Sequence, residues 1–553
     1  MRASFWSMGF AVLLLTGCGG GSSGGGRQEP PPDPDPPPAG DGEATVSGQV
    51  TFDRVPHNAI TNGLDYASTV EAPVRGAVVE AIDAAGGTNV LASTQTDAQG
   101  NYSLAVPADT DLFIRVKAQA LRTGTPSWDF AVVDNTSGDA LYVLDGAAFD
   151  SGTAATARNL HAASGWGGAS YTGARAAAPF SILDAVYESF TLVLDADPSA
   201  GFPPLELNWS PNNRPVSPFD ADDGDIVTSS FRFSGGVGEI FILGAADSDT
   251  DEFDRHVVAH EWGHYFEYEF SRSDSIGGPH GLGDYLDPRV AFGEGFGNAF
   301  SGMALDDPVY RDSMGEFQTD GFFINVEDND SPNSGWYSEF SIHSILYDLF
   351  DAASDGIDAV TLGFGPIYDV LTEEQRMTDA LTTIFTFIPP LKDANPADAA
   401  NIDALVAAQD IAAVTIDEFG STETNGAGNS DDVLPVYTLI ATDGVPVEIC
   451  SLGGGENPPR DYGSVNRLSN ARFLRFNVDV QRTYLFTATG PSGSDPDLVL
   501  HQMGIIAVSD EPPPGPESFS RLLAQGDYVL EVYEFTNITD MPRGRTCFDV
   551  SIT

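Results

Sequence analysis

Hydrophobic and polar residues alternate with a period of two towards both ends of the chain, which is typical of half-buried β-strands. In the N-terminal part, this alternation predicts strands over residues 44–52, 76–82, 101–106 and 112–117. In the C-terminal part, it predicts strands over residues 472–478, 483–488, 497–500 and 526–532. Turn residues separate these strands, so we expect each part to form an antiparallel β-sandwich.

The middle of the chain has a different pattern, in which apolar residues recur at helical spacing. The predicted helices cover residues 177–196, 253–271, 289–305, 339–353 and 398–409. Short strands are expected at 205–209 and 239–243. The sequence therefore predicts a multidomain protein, in which a central α+β domain is flanked by two antiparallel β-sandwich domains.

The first residues have the organisation of an export signal. A positive start at Arg2 is followed by the apolar stretch 10–15, which is too short to cross a membrane as a helix. The stretch runs into the residues LTGC, which end at Cys18. This segment resembles a bacterial lipoprotein signal over residues 1–18, and the resemblance implies cleavage before Cys18 and a lipid anchor on it. An ordinary secretory peptide or a short buried segment is the alternative.

The residues after Cys18 fit a tether. Residues 19–43 are a Gly/Ser tract followed by a Pro-rich tract, which form a flexible and then an extended spacer. An inner-membrane lipoprotein would be expected to carry Asp directly after the acylated Cys, and this chain has Gly19 there. We therefore expect a lipoprotein of the bacterial outer membrane or cell surface.

The net charge of the chain limits the classes of partner that it can bind. The chain has 81 Asp and Glu against 25 Lys and Arg, a formal net charge of −56. Such a negative field repels phosphates and anionic lipid, so we expect no nucleic-acid binding and no membrane contact except through the lipid anchor.

The feature with the clearest chemistry is the motif HEWGH, which places His260 and His264 four residues apart on a predicted helix. Both imidazoles then lie on one helix face and can reach one metal ion. Glu261 falls beside the metal, where it can take a proton from a metal-held water. Zinc suits such a site because it accepts imidazole nitrogen and acidifies water. By chance the motif is expected about 0.005 times in a chain of this composition.

A third ligand is expected downstream, and Glu294 lies 30 residues past His264 in the segment GEGFGNAF. The HExxH motif followed by this segment resembles the gluzincins, the thermolysin- and fungalysin-like zinc metallopeptidases. The resemblance implies a zincin-like catalytic domain with Glu261 as general base. It implies the zinc ligands His260, His264 and Glu294. Asn298 stands where thermolysin-like enzymes carry an Asp that hydrogen-bonds a ligand His.

The third ligand has two alternatives. The metzincin pattern fails, because it requires a His six residues after His264 and that position is Phe270. His280, in the segment GGPHGLG, is a rival third ligand to Glu294.

The same resemblance implies two further parts of a peptidase site. A tetrahedral oxyanion needs a donor besides zinc, and His343 and Tyr337 on or near the predicted helix 339–353 are the candidates. The segment 238–244 is expected to be an edge strand whose open backbone groups pair with an extended substrate.

The flanking parts also resemble known modules. Residues 44–120 resemble a carboxypeptidase regulatory-like β-sandwich, residues 121–435 would form the peptidase domain, and residues 436–553 resemble a pre-peptidase C-terminal domain. Cys450 and Cys547 lie at the two ends of this last part and are predicted to form a disulfide in an oxidising compartment, with two buried free thiols as the alternative.

Acidic clusters suggest a second metal. Carboxylates at alternate positions suit Ca²⁺, and residues 247–254 are the best candidate, ahead of 220–225 and 327–330. None of these segments matches the full EF-hand loop, and composition alone can produce such clusters.

Together these observations predict a monomeric cell-surface zinc endopeptidase. It would hydrolyse protein or peptide substrates through Glu-assisted attack of a water held at the zinc. The alternative is a surface adhesion or binding lipoprotein whose peptidase-like domain is inactive.

Overall fold

The computed structural model describes residues 42–281, 283–352, 358–453, 466–510, 516–539 and 542–553. The predicted signal, the acylation site Cys18 and nearly all of the predicted spacer lie outside the described residues. The described part is multidomain and mixes helices with several β-sheets. None of its helices combines the length and apolar content needed to cross a membrane.

The first half of the chain is rich in strands. They are β1 (Glu43–Arg54), β2 (Val70–Pro73), β3 (Ala77–Asp83), β4 (Val90–Gln95), β5 (Asn101–Pro107), β6 (Asp111–Arg122), β7 (Trp128–Asp134), β8 (Ala140–Leu141), β9 (Val143–Asp145), β10 (Phe149–Asp150), β11 (Thr156–Ala157), β12 (Leu160–Ala162), β13 (Leu205–Trp209), β14 (Ser230–Ser234), β15 (Val237–Ile242), β16 (Gly244–Ala245) and β17 (Asp249–Thr250). A hairpin further on is formed by β18 (Val309–Met314) and β19 (Asp320–Asn325).

The helices belong to the middle of the chain. They are α1 (Ala178–Ala196), α2 (Arg255–Phe270), α3 (Pro288–Leu305), α4 (Glu339–Phe350), α5 (Phe364–Thr372), α6 (Glu374–Met377), α7 (Ile384–Ala394), α8 (Ala399–Ala408) and α9 (Ser430–Val433). The five helices expected from periodicity correspond to α1, α2, α3, α4 and α8. Trp262 of α2 and Phe300 of α3 stack with ring centroids 5.4 Å apart, and both are fully buried.

One sheet crosses the predicted domain boundary at residue 120. Its strands run in the order β14-β15-β13-β7-β6-β3-β4. β6 spans residue 120 and pairs antiparallel with β3 on one side and β7 on the other. β6 continues five residues beyond the end predicted at 117, and its last residues pair with β7. Backbone hydrogen bonds therefore join the regions 44–120 and 121–435. A second sheet is centred on β1, which pairs with β2, β5, β11 and β12.

The C-terminal part is a two-sheet sandwich. Its strands are β20 (Tyr437–Leu439), β21 (Val447–Ser451), β22 (Ala471–Val478), β23 (Arg482–Thr489), β24 (Pro496–His501), β25 (Ile505–Ser509), β26 (Glu517–Leu523), β27 (Gly526–Glu534) and β28 (Thr546–Ile552). The sheets have the orders β20-β22-β27-β24-β25 and β21-β28-β23-β26. Cys450 and Cys547 face each other across β21 and β28 and form a disulfide.

The sandwich has two apolar faces on its five-stranded sheet. Leu474 and Leu530 point into the sandwich's own core, whereas their neighbours Phe473 and Val529 join the large core of the preceding part. Alternation along a strand explains this division, since successive side chains point to opposite faces. The sandwich therefore packs against the helical part of the molecule.

Candidate metal centre

The spacing of the HExxH motif brings its two histidines together on one face of α2. The Nε2 atoms of His260 and His264 lie 3.1 Å apart, and both side chains are largely buried. Glu294 projects from α3, and its Oε2 atom lies 3.3 Å from Nε2 of His260 and 3.5 Å from Nε2 of His264. The three residues predicted as zinc ligands therefore point donor atoms at one place.

These separations fit a tetrahedral zinc ion. Zinc binds His nitrogen and carboxylate oxygen at about 2.0–2.1 Å, which places neighbouring tetrahedral ligands about 3.3–3.4 Å apart. The three measured separations are 3.1, 3.3 and 3.5 Å. Two imidazoles and one carboxylate also form a donor set that leaves a position open for water or substrate, as catalytic zinc sites require.

Hydrogen bonds to the far ring nitrogens orient both histidines. Nδ1 of His260 lies 3.0 Å from Oδ1 of Asn298, the residue predicted for this role. Nδ1 of His264 lies 3.4 Å from Oε2 of Glu267, three residues further along α2. Both contacts favour Nε2 as the metal-binding atom. Glu267 was not among the residues predicted from the sequence, although its i+3 spacing from His264 could have indicated it.

Electrostatic attraction between His264 and Glu294 opposes the effect that burial has on their pKa values. Burial is the largest single effect and disfavours charge on both groups, but the attraction between His264 and Glu294 outweighs it together with contacts from Glu267 and His260. These contacts hold the pKa of the Glu294 carboxyl well below its usual value and the pKa of His264 well above its own. A metal ion must displace the proton on this cluster, so metal affinity should rise with pH.

Two glycines allow α2 and α3, the helices that carry the candidate zinc ligands, to approach each other. A Cβ atom on Gly297 would meet the ring of His260 at 2.8 Å, which no side chain can accommodate without a shift. A Cβ atom on Gly263 would lie 3.4 Å from the Cα of Gly297. Glycine at 297 therefore leaves room for the His260 ring between α2 and α3.

Glu261 lies beside the donor atoms and is held by backbone. Its Oε2 accepts a hydrogen bond of 2.7 Å from the amide of Phe231 in β14. Burial raises the pKa of the Glu261 carboxyl, and the neighbouring imidazoles counter part of that effect. A carboxylate with a raised pKa next to a metal centre is suited to accept and return a proton.

The strand at the sheet edge differs from the one predicted. The segment 238–244 contributes β15, which lies between β13 and β14 and is not an edge strand. The edge strand at this end of the sheet is β14, formed by the alternating residues SFRFS, which were not among the strands predicted from the sequence. Because the amide of Phe231 reaches Glu261, the open side of β14 faces the candidate centre.

His280 reaches the same group of atoms from the loop between α2 and α3. Its Nε2 lies 3.4 Å from Oε2 of Glu294 and 3.5 Å from Oε2 of Glu339 at the start of α4. Its Nδ1 lies 3.1 Å from the carbonyl oxygen of Gly278. Burial raises the pKa of Glu339 to about 7, although His280 acts in the opposite direction. His280 is thus a neighbour of the three candidate ligands, outside the tight cluster that they form.

The two residues predicted to stabilise an oxyanion are not brought to the donor atoms in the described structure. His343 is fully buried, neither of its ring nitrogens has a hydrogen-bond partner among the described residues, and its ring packs on Phe340. Burial lowers its pKa to about 3, so it is a neutral core residue. Tyr337 donates from its hydroxyl to Asn425 and the carbonyl of Ser334. Helical periodicity placed His343 in α4 but could not tell which face is buried.

Tyr337 also lines a cavity of about 690 Å³ at another place in the fold. The cavity wall includes Tyr285, Asp410 and Glu423, and it contains none of the candidate zinc ligands. The sequence-based assignment of Tyr337 to the metal centre is therefore not supported by its position.

The similarities between this chain and known proteins are few and cover only parts of the chain. No family model and no curated protein matches the chain. Among solved structures, the pre-peptidase C-terminal domain of a collagenase from Bacillus anthracis is 18% identical, with a TM-score of 0.16, over 21% of this chain and 94% of that one. This is the type of domain that residues 436–553 resemble in sequence.

Two other solved structures are also similar in part. A periplasmic inhibitor of g-type lysozyme from Aeromonas hydrophila is 15% identical over 21% of this chain and 97% of its own, with a TM-score of 0.14. A 9R-lipoxygenase from Cyanothece is 13% identical over 29% of this chain and 26% of its own, with a TM-score of 0.14. At TM-scores this low, the likenesses carry no argument about the activity of this chain.

Proposed function

We propose that this protein is a zinc-dependent endopeptidase of the gluzincin type that acts at a bacterial cell surface. The observation that carries the proposal is the convergence of His260, His264 and Glu294 at separations of 3.1–3.5 Å. Glu261, which is adjacent in sequence to a ligand candidate, supplies the carboxylate that such hydrolysis requires.

Zinc would be held by His260, His264 and Glu294, and it would supply polarisation of the scissile carbonyl and of the attacking water. Glu261 takes a proton from that water as it attacks the carbonyl carbon. The same carboxyl then delivers the proton to the amine that leaves. The hydrogen bond from the Phe231 amide keeps one carboxylate oxygen fixed, so the other is free to face the water.

The open edge of β14 offers a way to bind an extended peptide. Unpaired backbone amides and carbonyls on an edge strand can pair with a substrate backbone whatever its sequence. The edge lies next to Glu261, because the Phe231 amide contacts that residue directly. Peptide bound along β14 would therefore run past the metal centre.

Among the described residues beside the candidate centre, we assign His280 to stabilise the oxyanion. Its imidazole lies beside Glu294, on the side where α4 contributes Glu339. A donor beside the metal gains strength from the low local dielectric, and a nearby carboxylate favours the donating form of the ring. This assignment replaces His343 and Tyr337.

The proposal includes a lipid anchor on Cys18, with residues 19–43 as the spacer between the membrane and the folded part. Replacing Cys18 by Ala should move the exported protein from the membrane fraction to the soluble fraction. Retention of the Cys18→Ala variant in membranes would remove the anchor from the proposal.

The experiment that tests the function compares wild type with Glu294→Ala, using Glu374→Ala on the exposed surface of α6 as the matched control. Zinc content and casein hydrolysis are measured on purified protein. We expect one zinc per chain and chelator-sensitive cleavage in wild type and the control, and loss of both in Glu294→Ala. Folded wild type without zinc would contradict the proposal. Zinc without cleavage of any protein substrate would favour a binding lipoprotein.

A further inference from the structure

A second group of acidic side chains lies near the start of α2, apart from the candidate zinc ligands. Asp249 belongs to β17, Asp251 follows that strand, and Asp312 belongs to β18. One carboxylate oxygen of each lies within 4.8 Å of the others. The sequence predicts calcium at 247–254, but Asp312 lies about sixty residues further along the chain and is added to the group by the fold alone.

The carboxylates of this group are buried without matching partners. Each of the three has one oxygen that is shielded from solvent and makes no hydrogen bond to any described residue. Asp251 is only 3% exposed, and its other oxygen accepts a hydrogen bond from the hydroxyl of Ser229. The unpartnered oxygen of Asp251 is therefore a buried acceptor within the group.

The electrostatic surroundings of the group are negative. The main charges that act on Asp249, Asp251 and Asp312 within the described structure are those of one another and of Asp254. Burial, reinforced by these neighbours, raises the pKa of Asp249 to about 7 and the pKa of both other carboxyls well above their usual values. Three such groups need either bound protons or a cation.

We propose that Asp249, Asp251 and Asp312 bind a calcium ion. Calcium takes oxygen ligands at 2.3–2.6 Å in flexible geometry, so oxygens on opposite sides of one ion lie up to about 5 Å apart. The 4.8 Å limit of the group meets that requirement. The donor set contains only oxygen, which suits a hard cation and disfavours zinc.

The calcium site would join segments that flank α2 and α3, the helices that carry the candidate zinc ligands. Asp249 and Asp251 precede α2, which carries His260, and Asp312 follows α3, which carries Glu294. Asp254, directly before α2, already accepts hydrogen bonds from the amide of Ser313, next to Asp312, and from His57 if that nitrogen is protonated. Calcium would therefore reinforce an existing link between the start of α2 and β18, and this inference does not depend on the proposed peptidase activity.

The test uses the purified full-length chain with zinc retained and calcium removed by a calcium-selective chelator. Calcium chloride is titrated by calorimetry, and thermal unfolding is recorded with and without 1 mM calcium. We expect one calcium per chain and a rise of several degrees in Tm, since a ligand that binds the folded state stabilises it. Both effects should be lost in Asp251→Asn and Asp312→Asn.

The control variant is Asp320→Asn, which removes an exposed acid from the same β18–β19 hairpin and should bind calcium as wild type does. Zinc content should be unchanged in every variant, which separates this site from the candidate catalytic centre. If Asp312→Asn does not fold, Asp249→Asn at the half-buried position replaces it. The inference is overturned if wild type binds no calcium at millimolar concentration, or if Asp251→Asn and Asp312→Asn both bind as the control does. A wild-type Tm that is insensitive to calcium and rises on acidification would assign bound protons to the group instead.

Discussion

At the scale of single residues, the side chain of Glu261 makes different contacts from those of His260 and His264, the two histidines of the same motif. The imidazoles of His260 and His264 converge with Glu294, whereas the carboxylate of Glu261 is held by a backbone amide of β14. Glu261→Gln keeps the shape and the hydrogen-bond acceptor but removes the base. We expect unchanged zinc content and a fall in kcat of about 10²–10⁴-fold, the usual contribution of a general base. Steady-state cleavage and metal analysis on the same preparation measure both, and full activity in the variant would exclude the assigned role.

His280 and His343 provide a second test at this scale. His280→Ala removes an imidazole 3.4 Å from Glu294, and we expect kcat to fall by at least 10²-fold because one oxyanion donor is worth that much. His343→Leu replaces a buried neutral ring that has no hydrogen-bond partner in the described structure, and we expect kcat within a few-fold of wild type. Initial rates at saturating peptide distinguish the two. A large loss in His343→Leu with no loss in His280→Ala would return the role to His343.

Sequence alone was sufficient for the residues whose spacing is local, and it was insufficient where the fold brings distant segments together. The i,i+4 spacing of His260 and His264, and of Glu294 and Asn298, follows from helix geometry. His280 and Glu339 come from a loop and from the start of another helix, and only their packing reveals that they meet. Asp312 joins Asp249 and Asp251 for the same reason.

At the scale of secondary-structure elements, the position of His260 depends on the close approach of α2 and α3. Gly297→Ala would place a methyl group 2.8 Å from the His260 ring. We expect the ring to move and zinc affinity to fall by at least tenfold, since displaced ligands and lost supporting contacts each have effects of this size. Competition with a fluorescent zinc chelator measures the affinity.

The matched control is Gly365→Ala in α5, where a Cβ atom would meet nothing within 4 Å. Alanine is favoured over glycine in helices by up to about 1 kcal/mol, so this variant should bind zinc normally and unfold at the same or a higher temperature. Equal zinc affinity in both variants would show that the approach of the helices does not position His260.

The sheet elements show where periodicity reaches its limit. Alternation identified four of the six described strands β1–β6 and four of the nine described strands β20–β28, but not that β6 would pair with β7 or that β14 would pair with β15. Strand pairing is decided between segments that are far apart in sequence, so a single strand's pattern does not reveal its neighbours. The edge of the sheet could therefore not be assigned before the pairing was known.

At the scale of the whole molecule, the C-terminal sandwich is fastened to the segment that carries His280 and leads into α3. The amide of Asp287 donates to the carbonyl of Asn466, and the amide of Leu468 donates to the carbonyl of Tyr285. The side chain of Asn466 donates to the carbonyl of Pro279, next to His280. The sandwich is thus positioned to influence the candidate centre, which a loosely attached trailing module would not be.

A buried ion pair completes this attachment. Arg289 of α3 donates two hydrogen bonds of 2.9 Å to the carboxylate of Glu531 in β27, and it also pairs with Asp287. His501 of β24 lies 2.9 Å from the same carboxylate. Although burial acts to raise it, the pKa of Glu531 is lowered from 4.5 to about 2 by Arg289 and His501. Glu531 therefore carries charge through most of the acidic range.

Glu531→Gln should consequently weaken the attachment in a pH-dependent way. Arg289 keeps Asp287 as a partner in the variant but loses its charged contacts with Glu531, so we expect a loss of about 2 kcal/mol in unfolding free energy at pH 7. Because the folded pKa lies below the unfolded one, the carboxylate stabilises the fold fully above pH 4.5 and progressively less as the pH falls towards 2. The difference between wild type and variant should therefore shrink over that window, as measured by urea unfolding at pH 7, 4 and 3. Glu448→Gln, at an exposed position of β21, serves as the control. A Glu531→Gln variant as stable as this control at pH 7 would show that the ion pair does not hold the sandwich in place.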